Sequence, residues 1–268
     1  NPDILTQIQS LCSNHESSFI SGYMKSPLRH YETDTCIYNY DLKRHVAITK
    51  DKITGEVSVI FDENQSSNYL SVPMYIAREM TIRQYENSGH HILHSACVSV
   101  GDRAYAIVGG PGAGKTSLLL GFLKGGNGKV NYVSNDINFI TPDNRKIYPF
   151  QIPMLLSSAT ADSYFKDDMS LIEGAPTISY FHEKDQAMIR KYKLNRQIVE
   201  DLFNVESING AHLSGIIIPN FSKKQKGFSI QILDKKFAKE LISSQILEED
   251  DRFSIDYLGL KNGKHLKQ

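Results

Sequence analysis

Residues 104–124 read AYAIVGGPGAGKTSLLLGFLK, and the rest of the chain takes its meaning from them. An apolar run from Ala104 to Val108 ends in a glycine-rich turn, and a helical pattern follows at once. Between them lies Gly109-Gly110-Pro111-Gly112-Ala113-Gly114-Lys115-Thr116, a complete G-x-x-x-x-G-K-[ST] phosphate loop. Glycines let the backbone turn tightly and bring N–H groups against phosphate oxygens. In this reading Gly109, Gly110, Gly112, Ala113, Gly114 and Ser117 form the cradle. Lys115 reaches the β- and γ-phosphates, and the Thr116 hydroxyl holds magnesium. The helix that starts near Lys115 turns its positive end toward the anion. Gly110, Gly112 and Gly114 are spaced two apart, so the G-x-G-x-x-G dinucleotide fingerprint is absent and nicotinamide or flavin chemistry is disfavoured.

Working outward, the helix 115–124 stops at Gly125-Gly126. A short strand, Lys129–Val133, then ends in Ser134-Asn135-Asp136. An acidic residue at the tip of a neighbouring strand supports magnesium in phosphate-loop proteins, and Asp136 suits that role. On the other side stands His90-His91-Ile92-Leu93-His94. On a helix His90 and His94 would share a face, but Ile92–Val100 reads as a strand. No carboxylate or cysteine sits at a supporting spacing, which argues against a histidine metal site. Gly101-Asp102 makes a hairpin turn, so strands 92–100 and 103–108 are expected to be antiparallel neighbours.

The N-terminal third carries no chemical signal. Residues 3–13 read as an amphipathic helix capped by Asp3, with Leu5, Ile8, Leu11 and Cys12 on its core face. Thr35–Tyr40, Arg44–Thr49 and Glu56–Phe61 read as an antiparallel meander with a turn at Asp51–Gly55. Residues 71–88 read as a helix with Ile76 and Met80 on one face and with Arg78 and Arg83 solvated.

Beyond Asp136, residues 137–154 suggest a hairpin turning at Pro142-Asp143-Asn144. Residues 155–185 have no strong periodicity, and Tyr164, Phe165, Tyr180 and Phe181 are read as packing rather than as an acceptor pocket. A strand at 187–194, a helix at 196–204 and an apolar strand at Gly215–Ile218 follow. Phe228–Leu233 alternates in strand fashion after a lysine-bearing turn at Ser222–Gly227. The last helix, 235–246, is capped by Asp234 and has Phe237, Ala238, Leu241 and Ile242 as its core face. The charged tail from Glu248 reads as exposed.

Composition narrows the function classes. With 268 residues, 40% hydrophobic and 22% charged, the chain is long enough for one or two domains with a proper core. Lys+Arg and Asp+Glu both total 30, so no global basic field argues for nucleic acid and no polybasic tract for a membrane surface. No apolar run approaches ~18 residues, and no leader is visible at Asn1. Three cysteines, Cys12, Cys36 and Cys97, with no C-x-x-C spacing, fit free thiols in a reducing cytoplasm.

The stretch ILHSACVSVGDRAYAIVGGPGAGKTSLLLGFLKGGNGKVNYVSND resembles the catalytic domain of the HPr kinase/phosphorylase family, whose superfamily includes the phosphoenolpyruvate carboxykinase core. The shared features are a histidine-bearing strand (Leu93-His94-Ser95), a hairpin into the phosphate loop, one helix, and an acidic strand end soon after the lysine. The clear match covers about residues 92–140, with a looser one to roughly 245.

The resemblance implies an α/β phosphate-loop core with a mixed, largely antiparallel sheet, preceded by an N-terminal antiparallel β layer. Residues 1–90 then form the N-terminal region and 91–268 the kinase-like domain, as two domains or one continuous one. It also implies phosphoryl transfer from ATP with Mg2+ to a serine-like hydroxyl; relatives from peptide natural-product clusters phosphorylate a precursor peptide. The implied acceptor is a peptide or small molecule; the charge balance already argues against a nucleic acid or membrane partner, and because members are often oligomers the resemblance allows a homo-oligomer. By position, Gly109, Gly112, Gly114, Lys115 and Thr116 bind phosphates and magnesium, Asp136 matches one acid of the family's terminal pair, and His94 matches the histidine that approaches the reacting phosphate. The sequence departs from the pattern at Asn135, where the family usually has aspartate. An amide holds a hydroxyl or a water but cannot take its proton, which leaves Asp136 and His94 both open as general base. The extended second loop with which HPr kinases hold their protein substrate is not found, which argues against HPr as the acceptor.

Overall fold

The computed structural model describes residues 4–21, 26–61, 71–166, 169–182, 187–220, 229–243 and 258–260. They form a mixed α/β protein that is mostly strand. The chain divides into two units, one of residues 1–89 with 248–268, the other of residues 90–247. The sequence reading assigns 248–268 to the second region. The reason for the difference is local: Leu258 is buried with Leu28, Val46, Ile48, Val72 and Ile76 of the first unit.

The first unit starts with helix α1 (Ile4–Leu11) and an antiparallel sheet of β1 (Ser18–Ser21), β2 (Pro27–Glu32), β3 (Cys36–Asp41), β4 (Val46–Asp51) and β5 (Val57–Phe61), in sequential order. Helix α2 (Ser71–Asn87) follows. Side chains on a strand alternate between faces, and β4 shows the consequence. Ala47 packs with Ile8 of α1 and with Cys12 just after it, while Val46 and Ile48 pack with Val72 and Ile76 of α2. The meander matches the sequence expectation, while β1 and β2 add two strands to it. Asp3, the expected cap of α1, lies outside the described residues.

Three side chains of these helices correct the sequence reading. Leu11 is exposed, because the face of α1 turned to the sheet is the one that carries Ile4, Leu5 and Ile8, followed by Cys12. Met80 is exposed although Ile76 is buried. Arg83 is not solvated: it is 1% exposed, with Nε 2.7 Å from Glu79 Oε1 and Nη1 2.5 Å from Glu86 Oε2. Partners at i−4 and i+3 neutralise the guanidinium along its own helix, which lets a charge be buried.

The second unit runs β6 (His91–Val100), β7 (Arg103–Val108), α3 (Lys115–Gly125), β8 (Asn131–Ser134), β9 (Ile137–Ile140) and β10 (Lys146–Pro149). It continues with β11 (Met154–Ser157), α4 (Ser158–Phe165), α5 (Ser170–Glu173), β12 (Thr177–His182), β13 (Ala187–Leu194), α6 (Arg196–Phe203), β14 (Ala211–Ile217) and α7 (Lys235–Ser243). The hairpin β6–β7 is antiparallel as expected. The chain returns late to add β14 parallel to β7, and β14 pairs in turn with β10 and β10 with β9. Because β6 pairs with both β7 and β9, the sheet closes on itself. Cys97 stands opposite Ser134 and His94 opposite Ile137, so β8 and β9 are one strand in two pieces, opened over Asn135 and Asp136.

Two apolar cores result. Leu93, Cys97, Ala104, Ala106, Val108 and Val133 fill one face of the closed sheet. Ala96, Val98 and Ile107 point to the other, where Leu119, Leu120 and Leu123 of α3 are fully buried against them.

The aperiodic stretch 155–185 resolves into β11, α4, α5 and β12, elements too short for periodicity to reveal. Phe165 is buried and Tyr164 packs beside it in the α3 core, whereas the side chains of Tyr180 and Phe181 lie outside the described residues. Residues 229–233 pair with no strand among the described residues, and Ile230 and Ile232 are 83% and 94% exposed, so the expected strand there is not formed. Asp234 caps α7 as expected, its carboxylate accepting from the N–H groups of Lys236 and Phe237. Phe237 is exposed rather than core-facing; Ile242 makes the apolar contact instead. The lysine turn at 222–227, the tail at 248–251 and the side chain of Leu241 lie outside the described residues.

Candidate functional site

The site grows from the end of β7. Val108 stands opposite Ser95 on β6, which sets Gly109 beside the strand position of His94. A Cβ on Gly109 would come within 2.8 Å of the Ala113 Cβ, so only glycine lets the loop fold back this closely. Gly112 and Gly114 have φ of +78° and +87°, left-handed values that side chains resist. With these turns made, Ala113 N–H donates to Gly110 O at 3.1 Å and α3 begins.

No side chain caps the start of α3. Its first N–H groups are the ones that lack partners within a helix, and together with the helix dipole they favour an anion. The Lys115 ammonium lies on the loop itself, 2.5 Å from Gly109 O and 3.5 Å from Gly110 O. Burial draws the Lys115 pKa below that of an ordinary lysine, while the Asp136 carboxylate pulls it back up. Carbonyl oxygens solvate an ammonium but do not neutralise it, so an incoming anion gains a charge partner already at the loop.

The split between β8 and β9 supplies the second half of the site. Thr116 Oγ1 donates to Asn135 Oδ1 at 3.1 Å, joining the first turn of α3 to the strand tip. Asp136 Oδ1 lies 3.0 Å from His94 Nε2, joining that tip to β6. Ser95 N–H donates to Asp136 O at 3.0 Å and holds the backbone beneath the pair. Gly109, Gly110, Gly112, Ala113, Gly114, Lys115, Thr116, Ser117, His94, Asn135 and Asp136 thus meet where β7 and β8 end, beside the middle of β6. Among the described residues no cluster of three or more His, Cys, Asp or Glu side chains could hold a metal by itself. A cation here would draw on the Thr116 hydroxyl, the Asp136 carboxylate and oxygens of a bound phosphate, a donor set that suits Mg2+.

Sequence reasoning missed two supports. Tyr164 Oη donates to Ser117 O at 2.5 Å and braces the first turn of α3 from α4. Asn138, Ser95 and Ser134 form a buried hydrogen-bonded group under the strand tip. The signal for the second was present: Ser134 and Asn138 flank Asn135-Asp136, two polar residues in an otherwise apolar strand. Compared with known proteins, no family model matches the chain, and no curated protein or solved structure is significantly similar to it.

Proposed function

We propose that the chain is an ATP-dependent phosphotransferase that moves the γ-phosphate to a hydroxyl of a peptide or small-molecule acceptor. The observation that carries this reading is the pairing of an uncapped, glycine-bounded helix start bearing Lys115 with a strand tip bearing Asn135 and Asp136, joined by the Thr116–Asn135 hydrogen bond. The resemblance of residues 92–140 to the HPr kinase catalytic domain points the same way.

Phosphoryl transfer is largely positioning and charge stabilisation. The loop N–H groups and Lys115 hold the β- and γ-phosphates and meet the charge that spreads over the transferring group. Thr116 and Asp136 hold magnesium, which when bound offsets phosphate charge. Asn135 Oδ1 accepts a hydrogen bond from the Thr116 hydroxyl, which would leave the lone pairs of that oxygen available to a cation. His94, hydrogen-bonded to Asp136, stands on the adjacent strand, where an acceptor hydroxyl would approach.

The test is label transfer from γ-labelled ATP with Mg2+ into serine-containing peptides and small hydroxyl compounds, with wild type beside Lys115→Ala. Label on an acceptor with wild type alone supports the reading; equal transfer by Lys115→Ala overturns it. Asn135 favours a second reading, because an amide in place of a carboxylate removes a base. In that reading the chain is a nucleotide-binding switch, marked by tight ATP binding with neither transfer nor phosphate release. Release of free phosphate undiminished by any acceptor would mark a hydrolase.

A further inference from the structure

Beneath the strand tip is a polar group that the reading above does not use. Asn138, Ser95 and Ser134 are all buried inside the closed sheet. Ser134 Oγ donates to Asn138 Oδ1 at 2.6 Å, and Asn138 Nδ2 donates to Ser95 O at 2.7 Å and to Ser95 Oγ at 2.8 Å. The amide orientation follows from chemistry: turned over, its oxygen would face the Ser95 carbonyl, acceptor against acceptor. Three buried polar side chains beside Leu93, Cys97 and Val133 cost stability unless satisfied, and an apolar trio would pack there without that risk.

What the group connects explains its presence. Ser134 and Asn138 stand on the two pieces of the split strand, on either side of Asn135 and Asp136. Ser95 follows His94 on β6 and binds the Asp136 carbonyl through its own N–H. Asn138 therefore bridges both ends of the opened segment and clamps them to the strand that carries His94. Regular ladder pairing is interrupted at that point, where the Ser95 N–H bond to Asp136 O remains, and the amide adds the further ties that backbone hydrogen bonds supply elsewhere.

We infer that Asn138 is a positioning residue: through Ser95 and Ser134 it fixes the Asp136–His94 pair relative to the start of α3. The functional part of this inference rests on the phosphotransferase reading; the geometric part does not. Two measurements separate them. In protein labelled with 15N-histidine at one fixed pH, the imidazole signals of His94 report its hydrogen bond to Asp136. Asn138→Ala is expected to shift them toward their position in Asp136→Asn, while the signals of His30, remote in sequence, stay in place. In the transfer assay, Asn138→Ala is expected to keep the affinity of wild type for Mg-free ATP and to need about 10–100-fold more Mg2+ for half-maximal transfer, the usual cost of losing an outer support.

A folded Asn138→Ala protein with wild-type His94 signals overturns the inference. Should Asn138→Ala not fold, Ser95→Ala removes only one of the three hydrogen bonds and is expected to shift the His94 signals in the same direction by less. His94 signals left in place by Ser95→Ala would then overturn the inference. A wild type that binds no ATP removes the phosphotransferase reading and leaves the His94 result to decide this one.

Discussion

Lys115 holds a charged group partly out of water, its ammonium in contact with the Gly109 and Gly110 carbonyl oxygens. Its folded pKa lies below the ordinary value of 10.5, first because burial disfavours the ammonium, with Asp136 opposing. The unfolded chain therefore binds this proton more tightly than the folded one. Folding carries a cost while the lysine is charged, at neutral pH, and that cost is relieved as pH rises through the folded pKa toward the unfolded one. Lys115→Ala removes the cost together with the charge. Its melting temperature at neutral pH is expected to equal or exceed that of wild type, and a substantially lower one would contradict this account of the loop. The residue kept at the loop thus costs stability, which is the pattern expected of a binding residue.

At the scale of the element, α2 and α3 contrast in what sequence can reveal. The start of α3 is legible because glycines, lysine and threonine at fixed spacing have a mechanism attached, and the leucines behind them repeat at helical intervals. The burial of Arg83 is not legible, because a helical arginine between two glutamates reads equally as a solvated charge pattern. Only tertiary packing decides, and here Arg83 and Glu79 are both buried. Arg83→Ala removes the guanidinium that neutralises Glu79 and Glu86, and is expected to destabilise the first unit by about 3–5 kcal/mol. Denaturant unfolding would measure this; a loss under about 1 kcal/mol would place the group among exposed ion pairs.

Across the whole molecule, what sequence conveys is local and what it hides is long-range. The β6–β7 hairpin, the meander and the turn at Asn144 carry their own turn chemistry and were readable. The closure of the sheet through β14 was not, because parallel pairing of residues 212–217 with 103–107 leaves no mark in either segment. The site shows the same division. Its loop and the strand-tip Asp136 were readable residue by residue, and the resemblance supplied His94. Asn138 showed only as a polar residue after the strand tip, since its hydrogen bonds form only where β6, β8 and β9 meet. Among the described residues, no helix is long and apolar enough to cross a membrane.

The central claim is that residues 109–117, together with His94, Asn135 and Asp136, form a nucleotide-phosphate site. Titration calorimetry of the full chain with Mg·ATP tests it most directly, wild type beside Lys115→Ala. The account predicts saturable one-site binding by wild type that weakens at least about tenfold without the lysine, as the loss of a charge-assisted contact of roughly 1.5–3 kcal/mol requires. No binding by wild type, or equal binding by a folded Lys115→Ala protein, would contradict it.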